Sequence, residues 1–456
     1  MAPPNQHTNG ITALHLPTKL VPHTTPLDIA AEFSHHDPAF ARLNNGSFGC
    51  CPSTIISAQK KWQLKFLENP DYFYFNTLQP SILRSRHLIK SLINADDVEE
   101  ISIVDNVTTG AAIVLSDTTW SFFTGHFNQG DAVLILQKAY GAIKNSVTAY
   151  VSRAGGHVIE VPLPFPLTSN EQIIAEFNKA LETGKSNGRQ KIKLAVIDHV
   201  TSIPSVVIPV KELVKICRDA GVEQIFIDGA HGVGCVDVDV KDIGADFYAS
   251  SLYKWFFCPP AAAFLHCKKT NNNNNNALKL HHPIVSHEYG NGLAAESGWI
   301  GTRDYSAQCV IPEVYEFMMS KFEGGIDGIR RRNHEKVVEM AEMLAEEWGT
   351  TLGAPPEMFA SMVMVGLPPC LGISSDADAW NLFEHLRNCF GILAPVYYRA
   401  AMEEDVVPIM ITGYVRISHQ VYNTFDDYCR LKDAINKLVN DGFTYEATKH
   451  LPIINS

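Results

Sequence analysis

Two charged residues in the middle of the chain have the types and the spacing that carbonyl chemistry requires. Asp228 ends one short apolar run, and Lys254 follows the next one, within the motif 251–255. If both runs are strands of one sheet, the carboxylate and the amine emerge at the same edge. A Lys amine forms a Schiff base with an aldehyde, and a carboxylate keeps a pyridine nitrogen protonated. A pyridoxal phosphate enzyme needs this pair, although a loop Asp and a surface Lys would look the same in sequence.

Apolar runs alternate with helix-like stretches along most of the chain. Those that suit buried strands are residues 101–104, 132–136, 158–161, 194–197, 225–227, 247–249 and 261–265. This alternation predicts an α/β fold, with a mostly parallel sheet covered by helices. In open sheets of this kind, ligands bind at the carboxyl ends of the strands.

Three segments are predicted along the chain. Residues 1–40, rich in Pro, His and Thr, form an N-terminal arm; residues 41–324 form a large cofactor-binding domain; and residues 325–456 form a smaller α+β domain. The small domain is predicted from a helical apolar pattern at 337–348, strand-like runs at 362–365, 394–397 and 414–417, and an amphipathic helix at 424–440. The Asn run at 271–276 is predicted to be a surface loop.

Composition limits the classes of partner. The chain has 456 residues and a formal net charge of −12, from 37 basic and 49 acidic residues. It has no basic stripe, so nucleic acid and anionic membranes are not expected partners. No apolar run approaches the roughly 20 residues of a membrane-spanning helix. The N-terminus does not resemble a signal peptide, and the ten Cys include no CxxC pair. We therefore expect a cytoplasmic protein without a metal site.

Further polar groups follow other predicted strands. Thr108 and Thr109 lie at a predicted helix N-terminus, which suits phosphate, although plain N-capping is commoner for such residues in isolation. Tyr140 follows the run 132–136 and could lie flat on a ring, or could be a rim residue. Ser202 closes the motif 198–202 as a binding group or as a turn residue. These groups are expected to meet at one edge of the sheet.

Arg416 lies inside an otherwise apolar run, residues 413–418. A buried guanidinium needs an anionic partner. That partner is either the carboxylate or phosphate of a ligand, or an Asp or Glu in a structural salt bridge, and the sequence leaves both open.

With these motifs in view, the chain resembles the class V aminotransferase family of pyridoxal phosphate enzymes. Within that family it is most similar to plant L-cysteine desulfhydrases and isopenicillin-N epimerase-like proteins. The similarity runs from about residue 42 to residue 428 and rests on residues 43–49, 106–110, 228–231, 254–260, 299–304, 416–418 and 422–424. It implies fold type I, with a mostly parallel sheet in the large domain and a smaller α+β C-terminal domain.

The resemblance also implies roles for the residues that react. Lys254 is implied to be the Schiff-base lysine and proton shuttle, and Asp228 the partner of the pyridinium nitrogen. Arg416 is implied to bind the substrate α-carboxylate. His231 and Ser202 are implied to lie near the phenolate oxygen of the cofactor.

The remaining implied roles concern the cofactor ring, its phosphate and the entrance. Tyr140 occupies the position from which the family stacks an aromatic ring on the cofactor. The implied phosphate ligands are Thr108, Thr109, Ser251 and, from a neighbouring subunit, Thr302. Asn45 and Gly46 are implied to border the substrate entrance. The reach of Thr302 implies a homodimer with shared active sites.

One residue departs from the family pattern. The desulfhydrase-like proteins usually have His before the Schiff-base Lys, and this chain has Tyr253. A phenol also donates a hydrogen bond to phosphate, so cofactor binding is expected to survive. The loss of an imidazole that titrates near neutral pH could instead mark a site for a different amino acid or reaction.

The function expected from these residues is that of a pyridoxal phosphate enzyme acting on a free L-amino acid. The first hypothesis is β-elimination of L-cysteine to sulfide, ammonia and pyruvate. Racemisation, transamination, and decarboxylation or oxidative deamination of another amino acid are the alternatives. A non-catalytic cofactor-binding scaffold is the hypothesis from another class, and Asp228, Lys254 and Arg416 together argue against it.

Overall fold

The computed structural model describes residues 28–186, 191–269, 280–400 and 410–445. Most of the predicted arm and the predicted Asn loop at 271–276 lie outside these ranges. Within them the strands are β1 (Ala41–Arg42), β2 (Ile101–Val104), β3 (Ala132–Leu136), β4 (His157–Val161), β5 (Ile192–Asp198), β6 (Gln224–Asp228), β7 (Phe247–Ser251), β8 (Ala263–Cys267), β9 (Met362–Gly366), β10 (Ile392–Leu393), β11 (Val396–Tyr398) and β12 (Gly413–Ser418).

Helices cover and connect these strands. They are α1 (Ile29–Glu32), α2 (Asn45–Phe48), α3 (Ser53–Glu68), α4 (Pro70–Tyr72), α5 (Gln79–Leu92), α6 (Val107–Phe123), α7 (Gly141–Tyr150), α8 (Asn170–Ser186), α9 (Val210–Asp219), α10 (Val240–Ile243), α11 (Leu252–Trp255), α12 (Leu293–Gly298), α13 (Ser306–Cys309), α14 (Ile311–Lys321), α15 (Gly325–Trp348), α16 (Asp376–Phe390) and α17 (Phe425–Asn440). A π-helical segment, Phe73–Leu78, connects α4 to α5.

The central sheet has seven strands in the order β2-β8-β7-β6-β5-β3-β4. Adjacent strands from β7 to β4 in this order are parallel, and β8 runs antiparallel to both β7 and β2. Strands β3, β5, β6 and β7 are buried along their whole length, as expected for parallel strands with helices on both faces. The predicted α/β class and mostly parallel sheet are confirmed.

The register of the sheet brings the polar ends of three strands together. Asp198 at the end of β5 pairs with Asp228 at the end of β6, and Asp228 pairs with Ala249 in β7. Strand β7 ends at Ser251 and leads directly into α11, which carries Lys254. The carboxylate and the amine therefore lie at the same edge, as predicted.

Several strands extend one or two residues beyond their predicted bounds, and two predicted strands are shortened or divided in the structure. The run 261–265 gives a strand only from Ala263, because Ala261 adopts a left-handed backbone with φ of 70°. The run 394–397 is not one strand: β10 ends at Leu393 and β11 begins at Val396. Pro395 lies between them, and a Pro has no N–H to donate to a strand ladder.

The C-terminal part contains a three-stranded antiparallel sheet, β11-β12-β9, packed with α15, α16 and α17. Helix α15 begins at residue 325, where the second unit is predicted to begin. The early strand β1 pairs with β10, and the carbonyl of Leu43 accepts from the N–H of Ser418 at 2.9 Å. The start of the predicted large domain is thus hydrogen-bonded to the C-terminal part. The division at residues 40 and 324 stays a prediction.

Across the described ranges, none of the helices combines the length and the apolar character needed to cross a bilayer.

Candidate active site

A cavity of about 360 Å³ lies at the carboxyl edge of β5, β6 and β7. It is bordered by the turn that contains α2 and by the N-termini of α6 and α7. Most of the predicted site residues line it: Gly46, Thr108, Tyr140, Ser202, Asp228, His231, Ser251, Tyr253 and Lys254. The tertiary structure therefore brings together groups that are spread over more than 200 positions of the chain.

Residues of the turn that contains α2 contact the backbone at Lys254 and at its neighbour Tyr253. The carbonyl of Lys254 accepts from Nδ2 of Asn45 at 3.0 Å. Gly49 lies so close that a Cβ there would be 1.8 Å from the carbonyl oxygen of Tyr253, and its φ is 70°. Only glycine fits this approach. Nζ of Lys254 lies 3.3 Å from Nε2 of His231.

Burial makes this amine reactive. It lowers the pKa of Lys254 to about 8, and the positive charge of Arg416 adds to that effect. The negative charges of Asp228 and Asp198 oppose it without cancelling it. About a tenth of the Lys254 side chains are therefore uncharged at pH 7, roughly 300 times more than at the ordinary pKa of 10.5, and this fraction can act as nucleophile and base.

Two buried carboxyl groups face the cavity side by side. Oδ1 of Asp228 accepts from the N–H of Ala230 at 2.9 Å. Oδ2 of Asp198 has no hydrogen-bond partner among the described residues. Burial raises the pKa of both groups, and the charge of Asp228 raises that of Asp198 further. This pair needs a donor or a positive charge inside the cavity.

His231 is buried between Lys254 and Trp255. Nε1 of Trp255 donates to Nδ1 of His231 at 3.2 Å. Burial, and then the charges of Lys254 and Arg416, hold the pKa of His231 well below its ordinary value. The imidazole is therefore neutral at physiological pH.

Two helix N-termini point at the cavity. Asn106 caps α6 by accepting from the N–H of Thr109 at 2.9 Å, and the hydroxyl of Thr109 also donates to Asn106. Thr109 therefore takes part in the capping arrangement, whereas Thr108 lines the cavity. Tyr140 is the N-cap of α7, and 57% of it is exposed although it lines the cavity. An exposed aromatic ring at this position can stack on a planar ligand.

Arg416 is almost fully buried, with 2% of its surface exposed. Its guanidinium donates to the hydroxyls of Ser202 and Ser47, each at 2.6 Å, and to Oδ1 of Asn44 at 2.8 Å. No Asp or Glu in the described part of the chain forms an ion pair with it. Neutral oxygens orient this cation but leave its charge uncompensated.

Gly46 and Thr302, two further predicted residues, differ in their relation to the cavity. Gly46 lines the cavity and packs so tightly that a Cβ would be 2.3 Å from Sδ of Met362. Thr302 does not line this cavity; it lies beside Arg303, whose guanidinium forms an ion pair with Asp105. A role for Thr302 at a neighbouring subunit stays a prediction.

Sequence reasoning missed four residues of the site. These are Asn44 and Ser47, which orient Arg416, Asp198, which lies beside Asp228, and Trp255, which holds His231. Asp198 could have been found, because it ends its strand as Asp228 ends the next. The other three contacts join distant or loop residues and leave no periodic signal.

The cavity suits pyridoxal phosphate in each part that can be tested. The two buried carboxyl groups require a partner, which a protonated pyridine nitrogen would supply. The N-terminus of α6 suits a phosphate, Tyr140 suits the face of a ring, and the amine of Lys254, whose pKa is lowered, suits an aldehyde. In the described ranges, no group of three or more His, Cys, Asp or Glu side chains is arranged to hold a metal ion.

A mostly parallel sheet with a lysine and an aspartate at the carboxyl edge of its parallel strands is typical of fold type I pyridoxal phosphate enzymes. Comparison with known proteins agrees with this class. The family model of class V aminotransferases matches residues 76–368. The chain belongs to the class V aminotransferase family. The expected family, fold type and cofactor are thereby confirmed.

Two relatives from Arabidopsis thaliana are similar over most of the chain. One, named probable L-cysteine desulfhydrase, chloroplastic, is 62% identical over 91% of this chain and 86% of its own length. The other, named L-cysteine desulfhydrase, is 53% identical over 92% of each. Among solved structures, a cysteine desulfurase from Thermococcus onnurineus NA1 aligns with a TM-score of 0.61 at 19% identity, over 88% of this chain and 94% of its own. This last similarity concerns the fold.

Proposed function

We propose that this protein is a pyridoxal phosphate-dependent L-cysteine desulfhydrase, which converts L-cysteine and water to sulfide, ammonia and pyruvate. The observation that carries the proposal is the uncompensated charge of Arg416. Arg416 donates to the hydroxyl of Ser202, and Ser202 lines the cavity that contains Lys254. A cation beside a reactive amine favours a ligand that has both a carboxylate and an amino group, which is a free amino acid. The names of the two Arabidopsis relatives support cysteine as that amino acid.

Each residue then has one task. When bound, pyridoxal phosphate delocalises the electron pair that remains on the substrate α-carbon after proton removal. Asp228 would hold the ring nitrogen of the bound cofactor in its protonated form. Arg416 binds the α-carboxylate and so fixes which substituents of the α-carbon face Lys254. The uncharged Nζ of Lys254 removes the α-proton, and as an ammonium group it can then protonate the sulfur that leaves the β-carbon.

The test is to incubate the purified, cofactor-loaded protein with L-cysteine and a panel of other amino acids. We expect sulfide, ammonia and pyruvate from L-cysteine in equal amounts, and no turnover by Lys254→Ala. Released CO₂, loss of optical activity and new keto acids should be measured in the same samples, since they report the alternative reactions. Rapid turnover of another amino acid without sulfide from L-cysteine would refute the proposal and point to Tyr253 as a mark of divergence.

A homodimer with shared active sites is part of this proposal. Two large apolar side chains are exposed near Trp299, three residues before Thr302. The ring of Phe75, 67% exposed, lies 6.5 Å from that of Trp299, and Val285, 69% exposed, precedes Ser286, whose hydroxyl donates to the carbonyl of Trp299. A second copy of the chain would bury such a surface. Sedimentation equilibrium should give a dimer, and dilution to monomers should release cofactor and activity together. A fully active monomer would contradict this part.

A cytoplasmic location is also proposed, because the ten Cys include no CxxC pair and fit the free thiols of a reducing compartment. The name of one relative includes the word chloroplastic. Sequencing the N-terminus of the protein isolated from its source cells, together with imaging of a C-terminal fluorescent fusion, tests the location. Organelle fluorescence with a shortened N-terminus would refute it.

A further inference from the structure

Trp255 follows Lys254 directly, is fully buried, and directs its indole N–H at His231. Nε1 of Trp255 donates to Nδ1 of His231 at 3.2 Å. An indole N–H is a donor only, so Nδ1 must offer its lone pair and cannot hold a proton. Trp255, which does not line the cavity, therefore keeps Nδ1 of His231 unprotonated.

The other ring nitrogen faces the reactive amine. Nε2 of His231 lies 3.3 Å from Nζ of Lys254. Burial and the neighbouring positive charges lower the pKa of His231 well below its usual range, so the ring has a single proton. Since Nδ1 is occupied by the hydrogen bond from Trp255, that proton belongs to Nε2.

We propose that Trp255 is a positioning residue that locks His231 in its Nε2–H tautomer, so that His231 is a hydrogen-bond donor in the cavity and not a base. The inference rests on the proposed function in one respect: the loaded enzyme's acceptor for this N–H would belong to the cofactor or the substrate. Without cofactor, the acceptor available is the lone pair of Lys254.

This arrangement affects Lys254 as well. An N–H at Nε2 can hydrogen-bond to Nζ only when the amine is uncharged, because an ammonium group has no lone pair. The tautomer thus favours the reactive form of Lys254. It also leaves Lys254 as the proton acceptor, with His231 unable to compete for the α-proton through Nε2.

A packing role alone would not require the observed direction of the indole. Trp255 is packed with Val200, Cys235 and Met362, and Trp255→Phe retains most of that volume while it removes the N–H. The matched control is Trp348→Phe. Trp348 is also buried, and its Nε1 has no hydrogen-bond partner among the described residues. Both substitutions remove one buried indole, but only one removes a donor to His231.

The direct measurement is the ¹⁵N chemical shift of the His231 ring in cofactor-free protein labelled with ¹⁵N-histidine. His231→Ala identifies its signals. In the unsubstituted protein and in Trp348→Phe, we expect a pyridine-type Nδ1 and a pyrrole-type Nε2. In Trp255→Phe, the signals should move toward the opposite tautomer or to an average of the two. A proton on Nδ1 in the unsubstituted protein, or identical shifts in Trp255→Phe, would overturn the inference.

The second measurement is the pH dependence of the rate at which cofactor-free protein couples covalently to pyridoxal phosphate, followed by visible absorbance. Only the uncharged amine of Lys254 reacts. When His231 is free to accept at Nε2, the ammonium form gains a hydrogen bond. The midpoint should then rise by about one pH unit in Trp255→Phe and stay unchanged in Trp348→Phe.

The double variant separates the two explanations. If Trp255 acts through His231, Trp255→Phe should not move the midpoint in a His231→Ala background. An equal shift in both backgrounds would mean that Trp255 acts by packing, and would overturn the inference. If the unsubstituted protein does not couple to pyridoxal phosphate at all, the proposed function fails, and the ¹⁵N shifts still decide the tautomer.

Discussion

The role of Arg416 can be tested by removing its charge and measuring which ligands the site still binds. Arg416→Ala deletes a buried cation whose hydrogen bonds go to the neutral oxygens of Ser202, Ser47 and Asn44. If the α-carboxylate of the substrate is its anionic partner, the substitution removes a charge-assisted contact from a site with little water. Such a loss costs about 2–4 kcal/mol, which is roughly a 30- to 1000-fold decrease in kcat/KM.

The assay compares L-cysteine with cysteamine, which has the amine and the thiol but no carboxylate. The change in visible absorbance when each compound is added to the loaded enzyme gives its binding constant, and sulfide release gives turnover. We expect the unsubstituted enzyme to prefer L-cysteine strongly. In Arg416→Ala the preference should nearly disappear, because L-cysteine loses binding while cysteamine changes little.

Two controls show whether the loss is specific. Arg416→Lys retains the charge without the planar fork, so part of the preference for L-cysteine should return. Arg330→Ala removes an arginine that already has Asp237 and Asp327 as partners, and it should leave the preference unchanged. Equal losses for L-cysteine and cysteamine in Arg416→Ala, or no loss for either, would refute the carboxylate role and make Arg416 a structural residue.

Three further outcomes are expected. Because burial lowers the pKa of Lys254 to about 8 in the folded, cofactor-free protein, its stability should rise with pH from about 8 to the ordinary value of 10.5. Lys254→Met should abolish that rise and should increase the free energy of unfolding near pH 7 by about 3 kcal/mol, measured by denaturant titration. An unchanged pH profile would contradict the lowered pKa. Gly49→Ala should lower the free energy of unfolding by about 2 kcal/mol or more, because its Cβ would meet the backbone of Tyr253. Gly125→Ala, at a similar φ but with open space around it, should lower it less. Equal losses would show that backbone strain alone matters. Tyr253→His should leave sulfide release from L-cysteine within about threefold if the phenol only contacts phosphate, and a larger rise would show that Tyr253 redirects the reaction.

Much of the fold follows from local properties of the sequence. Buried parallel strands are short continuous apolar runs, and each predicted strand of the central sheet is present in the structure. Two predicted strands were wrong where a single residue changed the backbone. Strand β8 begins only after the left-handed Ala261, and Pro395 separates β10 from β11. These effects depend on individual φ angles and missing N–H groups, which an apolar pattern does not report.

The sequence by itself determined that Asp228 and Lys254 share one edge of the sheet, because parallel strands with helical connections must end on the same side. Only the tertiary structure decided how these groups behave. The uncompensated charge of Arg416 and the contact between Trp255 and His231 join side chains whose directions no periodic pattern specifies. The lowered pKa of Lys254 arises from burial by the whole surrounding structure. Residue types therefore fix which chemistry is available, and desolvation with three-dimensional hydrogen bonding fixes which protonation state performs it.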